Sequence, residues 1–223
     1  VKEQSWSVWE QRWKTTLSAI EDRGGEVSTL TIKPPVPIEQ ITLLEQELEV
    51  KLPTSLIRVL TEYSSEVQVS WSFPDEENRL ASLPPELDRI FRGELYWSLD
   101  QLGDIERNRR GWQEAVFPNP HDSYDVVWHH KLAFMEVGNG DFIAFDLSEP
   151  DDYPVVYLSH DAGDGHGYRL GDNFIDFVDR CTLIGCVGPE DWQLLTFIDS
   201  PMSGIDPHGE YALKWRSWLS RCK

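Results

Sequence analysis

Two apolar-rich runs, Leu132–Val137 and Asp141–Leu147, are separated only by Gly138-Asn139-Gly140. Asn-Gly between such runs is a strong hairpin signal, because a two-residue turn needs positive φ at both central positions and these residues tolerate it. That commits the middle of the chain to an antiparallel pair. Tyr153–Ser159 is expected as a third strand of the same group, after the acidic turn Glu149–Asp152.

Most of the chain before and after this hairpin has helical period. Trp6, Trp9, Trp13, Leu17 and Ile20 fall on one stripe that Gly24 and Gly25 end, and a Trp stripe of this kind is more simply core than interface. Lys33–Pro37, with three prolines, reads as an extended connector. Ile38, Ile41, Leu44 and Leu48 predict a second helix to about Val50, and Leu56, Val59, Leu60 and Tyr63 a third after Pro53. From Val67 the period drops to two, with Val67, Val69, Trp71 and Phe73 against Gln68, Ser70 and Ser72. Pro74–Arg92 reads as an acidic excursion with a short helix at Glu86–Phe91, and Glu94–Trp97 as a strand. Ser98 is a plausible N-cap for a helix with Leu102, Ile105 and Trp112 inward and Arg107, Arg109 and Arg110 on the more exposed side. Asp172 or Asn173 caps a helix carrying Phe174, Phe177, Val178 and Cys181, Pro189 opens another, and Tyr211, Trp215, Trp218, Leu219 and Cys222 share the face of a last one. Helices, then strands, then helices predict an α+β fold, with helices packed on one mixed, mostly antiparallel sheet. The expected organisation is a Trp-rich helix and connector at 1–37, an α+β domain at 38–200, and a C-terminal helix at 201–223 packed on the same domain.

Ten tryptophans and 40% hydrophobic residues in 223 make this a folding sequence, despite 26% charged residues. The formal charge of -19 repels a nucleic-acid backbone or an anionic membrane at long range, so neither is an expected partner. Cys181, Cys186 and Cys222 form no CxxC pair, which fits reduced thiols in a cytoplasmic protein. No apolar run approaches the roughly 20 residues needed to span a bilayer.

The strongest local anomaly is electrostatic. Between Lys131 and Arg169 there is no Lys or Arg, while Glu136, Asp141, Asp146, Glu149, Asp151, Asp152, Asp161 and Asp164 are acidic, more than twice the chain's average density of net negative charge. This predicts an acidic partner-binding face of Asp141, Asp146, Glu149, Asp151, Asp152, Asp161 and Asp164, set against the plainer reading of a solvated surface that aids solubility. His160, Asp161, Asp164 and His166 invite a metal reading, but their spacing fits no standard site and the glycines between them serve a turn, so no metal or cofactor is assigned. His129-His130 is weaker, since neighbours on a strand face opposite sides. No serine sits in a nucleophile elbow, there is no P-loop, and Cys181 lies on an apolar face, so no catalytic residue is assigned.

Several ordered pieces carry a resemblance. They are Leu44-Glu45-Gln46-Glu47-Leu48-Glu49-Val50-Lys51-Leu52-Pro53 before an amphipathic helix, Tyr96-Trp97-Ser98-Leu99, the run Gly138-Asn139-Gly140-Asp141-Phe142-Ile143-Ala144-Phe145-Asp146-Leu147, then Pro154–Asp161 and Asn173–Val178. In this order they resemble the SUKH superfamily over roughly Ile38 to Ile198, closest to its fungal cell-wall-assembly-regulator (Smi/Knr) branch with its many bacterial members. The resemblance implies a non-enzymatic protein-binding module of α+β fold. Bacterial members are taken to be immunity proteins that neutralise a toxin encoded beside them, and fungal members to be scaffolds in cell-wall signalling. The expected function is therefore an immunity protein whose partner is a cognate toxin or other basic protein. A regulatory scaffold stands second and a metal-assisted hydrolase using the His160–His166 loop third. The family offers no catalytic residues to carry over, and the Trp-rich helix, the Pro74–Arg92 excursion and the last helix depart from a compact member.

Overall fold

The period-two segment becomes the centre of the first sheet. In the computed structural model, which describes residues 6–74, 82–149 and 152–220, β3 (Glu66–Ser72) pairs antiparallel with β4 (Arg92–Ser98) on one side. On its other side it pairs with two short strands, β1 (Glu26–Val27) and β2 (Thr31–Ile32). Val67, Val69 and Trp71 point into the core, while Gln68, Ser70 and Ser72 line the outer face. The expected Pro74–Arg92 excursion falls partly on residues 75–81, outside the described residues; beyond them a 3-10 turn at Pro85–Leu87 stands where a short helix was expected.

Around this sheet the helical stripes close as their spacing predicts. α1 (Trp6–Asp22) buries Trp9, Trp13, Leu17 and Ile20, so the tryptophan stripe is core. α2 (Ile38–Leu48) and α3 (Thr54–Glu62) follow the connector, and α4 (Leu99–Ala115) follows β4 directly. Ser98 sits at the N-cap position of α4 but makes no cap bond; its hydroxyl donates to Glu66 Oε2 at 2.9 Å instead.

The hairpin forms as β5 (Lys131–Glu136) and β6 (Phe142–Asp146), continued antiparallel by β7 (Val155–Leu158) and β8 (Arg169–Gly171) in a second sheet. The turn differs from the expected two-residue form. Gly140 N donates to Val137 O at 2.9 Å, and within the turn Gly140 takes positive φ (98°) whereas Asn139 does not, giving a three-residue loop with a bulge glycine. Both faces of this sheet are covered. Ile143, Phe145, Val155 and Tyr157 face the main core, while Phe142, Ala144, Val156 and Leu158 face a smaller one built on Trp128, Phe117 and Ile105. Strands buried on both faces lack alternation, which is why they read as continuous apolar runs.

The remaining helices are α5 (Phe174–Leu183), capped by Asn173 Oδ1 accepting from Asp176 N, the short α6 (Asp191–Leu194) and α7 (Glu210–Ser220). Trp215 of α7 stacks on Trp71 with centroids 5.8 Å apart, and Trp13 of α1 meets Trp97 at 6.2 Å. The α+β class holds, but among the described residues the strands form two four-stranded antiparallel sheets where one mixed sheet was expected. Each sheet's facing edge is taken. Cys186–Gly188 bonds the outer edge of β4, and Glu106 of α4 reaches the edge of β5, where a bulge between Ala133 and Met135 frees the Ala133 amide to donate to Glu106 Oε2 at 2.9 Å.

Candidate functional site

Antiparallel pairing sorts the acids of the central segment. β6 runs from the hairpin turn to Asp146, and β7 returns from Val155, so Asp141, Asp161 and Asp164 cluster at one end of the second sheet and Asp146, Glu149 and Asp152 at the other. At the strand rise of about 3.4 Å per residue, Asp141 and Asp146 lie ~17 Å apart. Asp151 lies outside the described residues. The expected single face is thus two separate groups.

At the far end the carboxylates are occupied. Asp146 Oδ1 accepts from Lys131 Nζ at 2.9 Å and from Ser148. Burial pushes the Asp146 pKa up, but the hydrogen bonds from Ser148 and Lys131 outweigh it and hold the group below the usual range. Glu149 faces Arg169 at 3.8 Å. Asp152 Oδ1 accepts from Ser55 N at 2.8 Å and so caps α3, whose own N-cap residue is Pro53 and has no side-chain acceptor.

The near end is organised by Asp141, which is 1% exposed. Its Oδ1 accepts from the backbone N and the ring Nδ1 of His160, at 2.8 and 2.7 Å, and its Oδ2 from Asn139 Nδ2 and Tyr157 OH, both at 2.7 Å. A carboxylate only accepts, so His160 carries its proton on Nδ1. The Tyr157 pKa is raised far above normal, first by burial and then by the neighbouring charge of Asp141. The same hydroxyl accepts from Asp191 N at 3.1 Å, and Asp191 Oδ2 accepts from Gly165 N at 2.9 Å. Gly163 and Gly165 are required by this approach, since a Cβ on either would collide with the Asp191 side chain.

These bonds lay the 159–167 loop against the 118–125 loop. Tyr124 OH donates to Ser159 O at 2.5 Å and accepts from Ala162 N at 2.9 Å. His166 Nδ1 accepts from Ser159 N, so its Nε2 carries the proton and donates to Tyr124 O at 3.1 Å. Its ring stacks on Tyr124 at 3.8 Å, and burial lowers its pKa. Asp161 and Asp164 are left exposed on this pinned loop.

The residues weighed for metal binding do not converge as a set. Asp141, His160 and Asp161 bring potential ligand atoms within 4.8 Å of one another. Asp141, however, already accepts four hydrogen bonds, a full complement for its two oxygens, and both ring nitrogens of His166 are engaged. His129 is engaged as well, with Nε2 3.0 Å from Phe117 O. Cys181 and Cys186 are buried free thiols, and burial pushes Cys181 well up and Cys186 up to about 12, which suits packing and not nucleophilic attack.

Two features of α4 were not expected. Arg109, placed by its spacing on the exposed side, is 3% exposed and forms a bidentate pair with Glu106 at 2.8 and 2.9 Å. Glu106 also holds Arg110 and the Ala133 amide, so this ionic cluster locks α4 along the β5 edge. That placement puts Asn108, Trp112 and Val116 beside Glu136 at the near end, where Asn108 Nδ2 donates to Glu136 at 3.3 Å and Trp112 lies 5.3 Å from the His160 ring. The i, i+4 spacing of Asn108, Trp112 and Val116 was the available signal.

Among the described residues, no helix is long and apolar enough to cross a membrane. Comparison with family models matches residues 35–180, about two thirds of the chain, to the SMI1 / KNR4 family (SUKH-1). The match starts in the proline-rich connector and ends inside α5, leaving α1, α6 and α7 outside it. No curated protein and no solved structure matches significantly.

Proposed function

The chain belongs to the SMI1/KNR4 (SUKH-1) family, generally one of non-catalytic binding domains, and on that premise we propose that it is a cytosolic immunity protein that binds a cognate basic toxin and covers its active site. The observation that carries this reading is the near end of the second sheet, where Asp161 and Asp164 stand exposed on a loop pinned by hydrogen bonds to the buried carboxylates of Asp141 and Asp191. Asp122 and Glu136 are exposed beside them. The guanidinium groups bordering this end are held by carboxylates: Arg92 by Glu94 and Glu190, and Arg107 by Glu47 and Asp104. Net negative potential therefore remains for a partner. A pre-ordered loop spares the partner the entropy of ordering it, and fixed charges steer association.

The test is protection. The neighbouring gene's toxic domain, a small basic polypeptide on this reading, is expressed in bacteria with and without this chain. Growth rescue together with a stable one-to-one complex supports immunity. Absence of both, or an isolated locus with no toxin beside it, overturns it in favour of the scaffold.

A further inference from the structure

We propose that a hollow on the outer side of α4 seats an arginine side chain of the basic partner, with Trp112 as its stacking wall and Glu136 as its carboxylate. This rests on the reading of the near end as the partner face and names the group recognised there. The hollow measures about 440 Å³ and is lined by Asn108, Gly111, Trp112, Ala115, Val116, Glu136 and Arg107, whose guanidinium is paired with Glu47 and Asp104.

Gly111 is the first reason. It is exposed in the interior of a 17-residue helix, where glycine is markedly less favourable than alanine. A Cβ there would meet nothing within 4 Å, and the residue is not among those with positive φ, so neither packing nor backbone geometry asks for glycine. Gly103 on the same helix differs, because its missing side chain faces Leu44 and Glu47 of α2 at 3.5 to 3.6 Å. What the absent side chain at 111 does is leave the floor of the hollow flat.

Trp112 and Glu136 supply the chemistry. Trp112 is half-buried, braced by Phe117 at 6.4 Å and by His160 at 5.3 Å, so its ring is held in place at the hollow's wall. Glu136 is exposed, accepts one hydrogen bond from Asn108, and forms no ion pair with a Lys or Arg among the described residues. Val116, 49% exposed, extends the apolar wall. An aromatic wall beside a carboxylate with unused lone pairs favours a planar guanidinium, which stacks and donates two parallel bonds, over a compact ammonium. Contact with His160 makes the hollow continuous with the loop that carries Asp161.

The test uses N-acetyl-arginine amide as probe, with N-acetyl-lysine amide for comparison, at low salt. The readout is the Trp112 indole N–H resonance of the full chain, assigned through Trp112→Phe. The expected result is a saturable shift with the arginine probe, at least about threefold weaker with lysine. Glu136→Gln should weaken arginine binding by about fivefold. Gly111→Leu should remove the shift while raising the melting temperature, which separates a blocked hollow from a damaged fold. No saturable shift, equal binding of both probes, or an unaltered response in Gly111→Leu overturns the assignment. If the hollow fails in this way while the toxin domain is still neutralised, only the arginine seat falls; if arginine binds but no toxin is neutralised, it is the immunity reading that falls.

Discussion

The two ends of the second sheet draw their acids from one stretch of sequence and use them in opposite ways. At the end with Asp146, Glu149 and Asp152, each carboxylate meets a cation or an orphan amide, and its charge is spent on the fold. At the other end buried Asp141 gathers four donors and, together with buried Asp191, orders a loop whose own acids stay in solvent. Density of charge along a chain is therefore no measure of charge on a surface. What decides is how many donors each turn brings within reach.

Asp141→Ala breaks this comparison most severely. It leaves Tyr157 OH, the His160 amide and the Asn139 side chain without their acceptor, and opens a gap where a buried charge was satisfied. Loss of a hydrogen-bonded buried charge costs about 3 kcal/mol or more, which urea unfolding measures. A loss under about 1 kcal/mol shows that the loop is held by other means. Asp152→Ala at the opposite end should cost about 1 kcal/mol, the usual worth of a helix cap, because only the Ser55 amide is orphaned. Equal losses at Asp141 and Asp152 remove the distinction between a loop organiser and a simple cap.

Much of the fold was legible in the sequence because periodicity survives burial. The Trp6–Ile20 stripe, the Val67–Phe73 alternation and the Asn-Gly hairpin all stand where their spacing puts them. What was not legible depends on contacts between distant segments. The turn form at 138–140 depends on which residue takes positive φ, and composition allowed Asn139 as readily as Gly140. The burial of Arg109 needs Glu106 one turn earlier and the β5 bulge opposite, a combination no single-helix pattern displays. The candidate site was half visible. Asp161 and Asp164 were found by charge, but strand reversal separates them from Asp146, Glu149 and Asp152, and the α4 residues beside them carry no acidic signal.

Protonation sharpens the comparison more gently. Burial depresses the His166 pKa, so the unfolded chain binds this proton more readily than the folded one. The sign follows: the stabilising contribution is fully present above the unfolded histidine value of about 6.5, and is lost as pH falls from there through the lower folded value. Protonation of Nδ1 also removes the acceptor for Ser159 N, so the loop should loosen in the same window. Protection of the Ser159 and Gly163 amides, taken as exchange relative to an unstructured chain at each pH between about pH 7.5 and pH 5, should fall towards acid in the wild type. His166→Gln should be more mobile throughout and show a flatter dependence. A wild-type loop whose protection is the same across that range contradicts this account.

The smallest stability effect belongs to the exposed acids, and it is their effect on binding rate that separates the two ends. Asp161→Asn with Asp164→Asn removes two charges from the near end, and Glu149→Gln with Asp152→Asn removes two from the far end. Glu21→Gln with Asp22→Asn, both exposed at the end of α1, supplies the same change in net charge elsewhere. The near pair should alter stability by no more than about 0.5 kcal/mol per site, since neither carboxylate is buried. Stopped-flow association with the toxin domain across a salt series should nonetheless be slowed most by the near pair, with dissociation changed far less, because charges at an interface rim act mainly through steering. The far pair should keep the α3 cap, because an asparagine oxygen at 152 still accepts from Ser55 N, and should leave association close to that of the α1 pair. Equal slowing by all three pairs means that the overall charge of -19 does the steering, and the near end then has no claim to be the partner face.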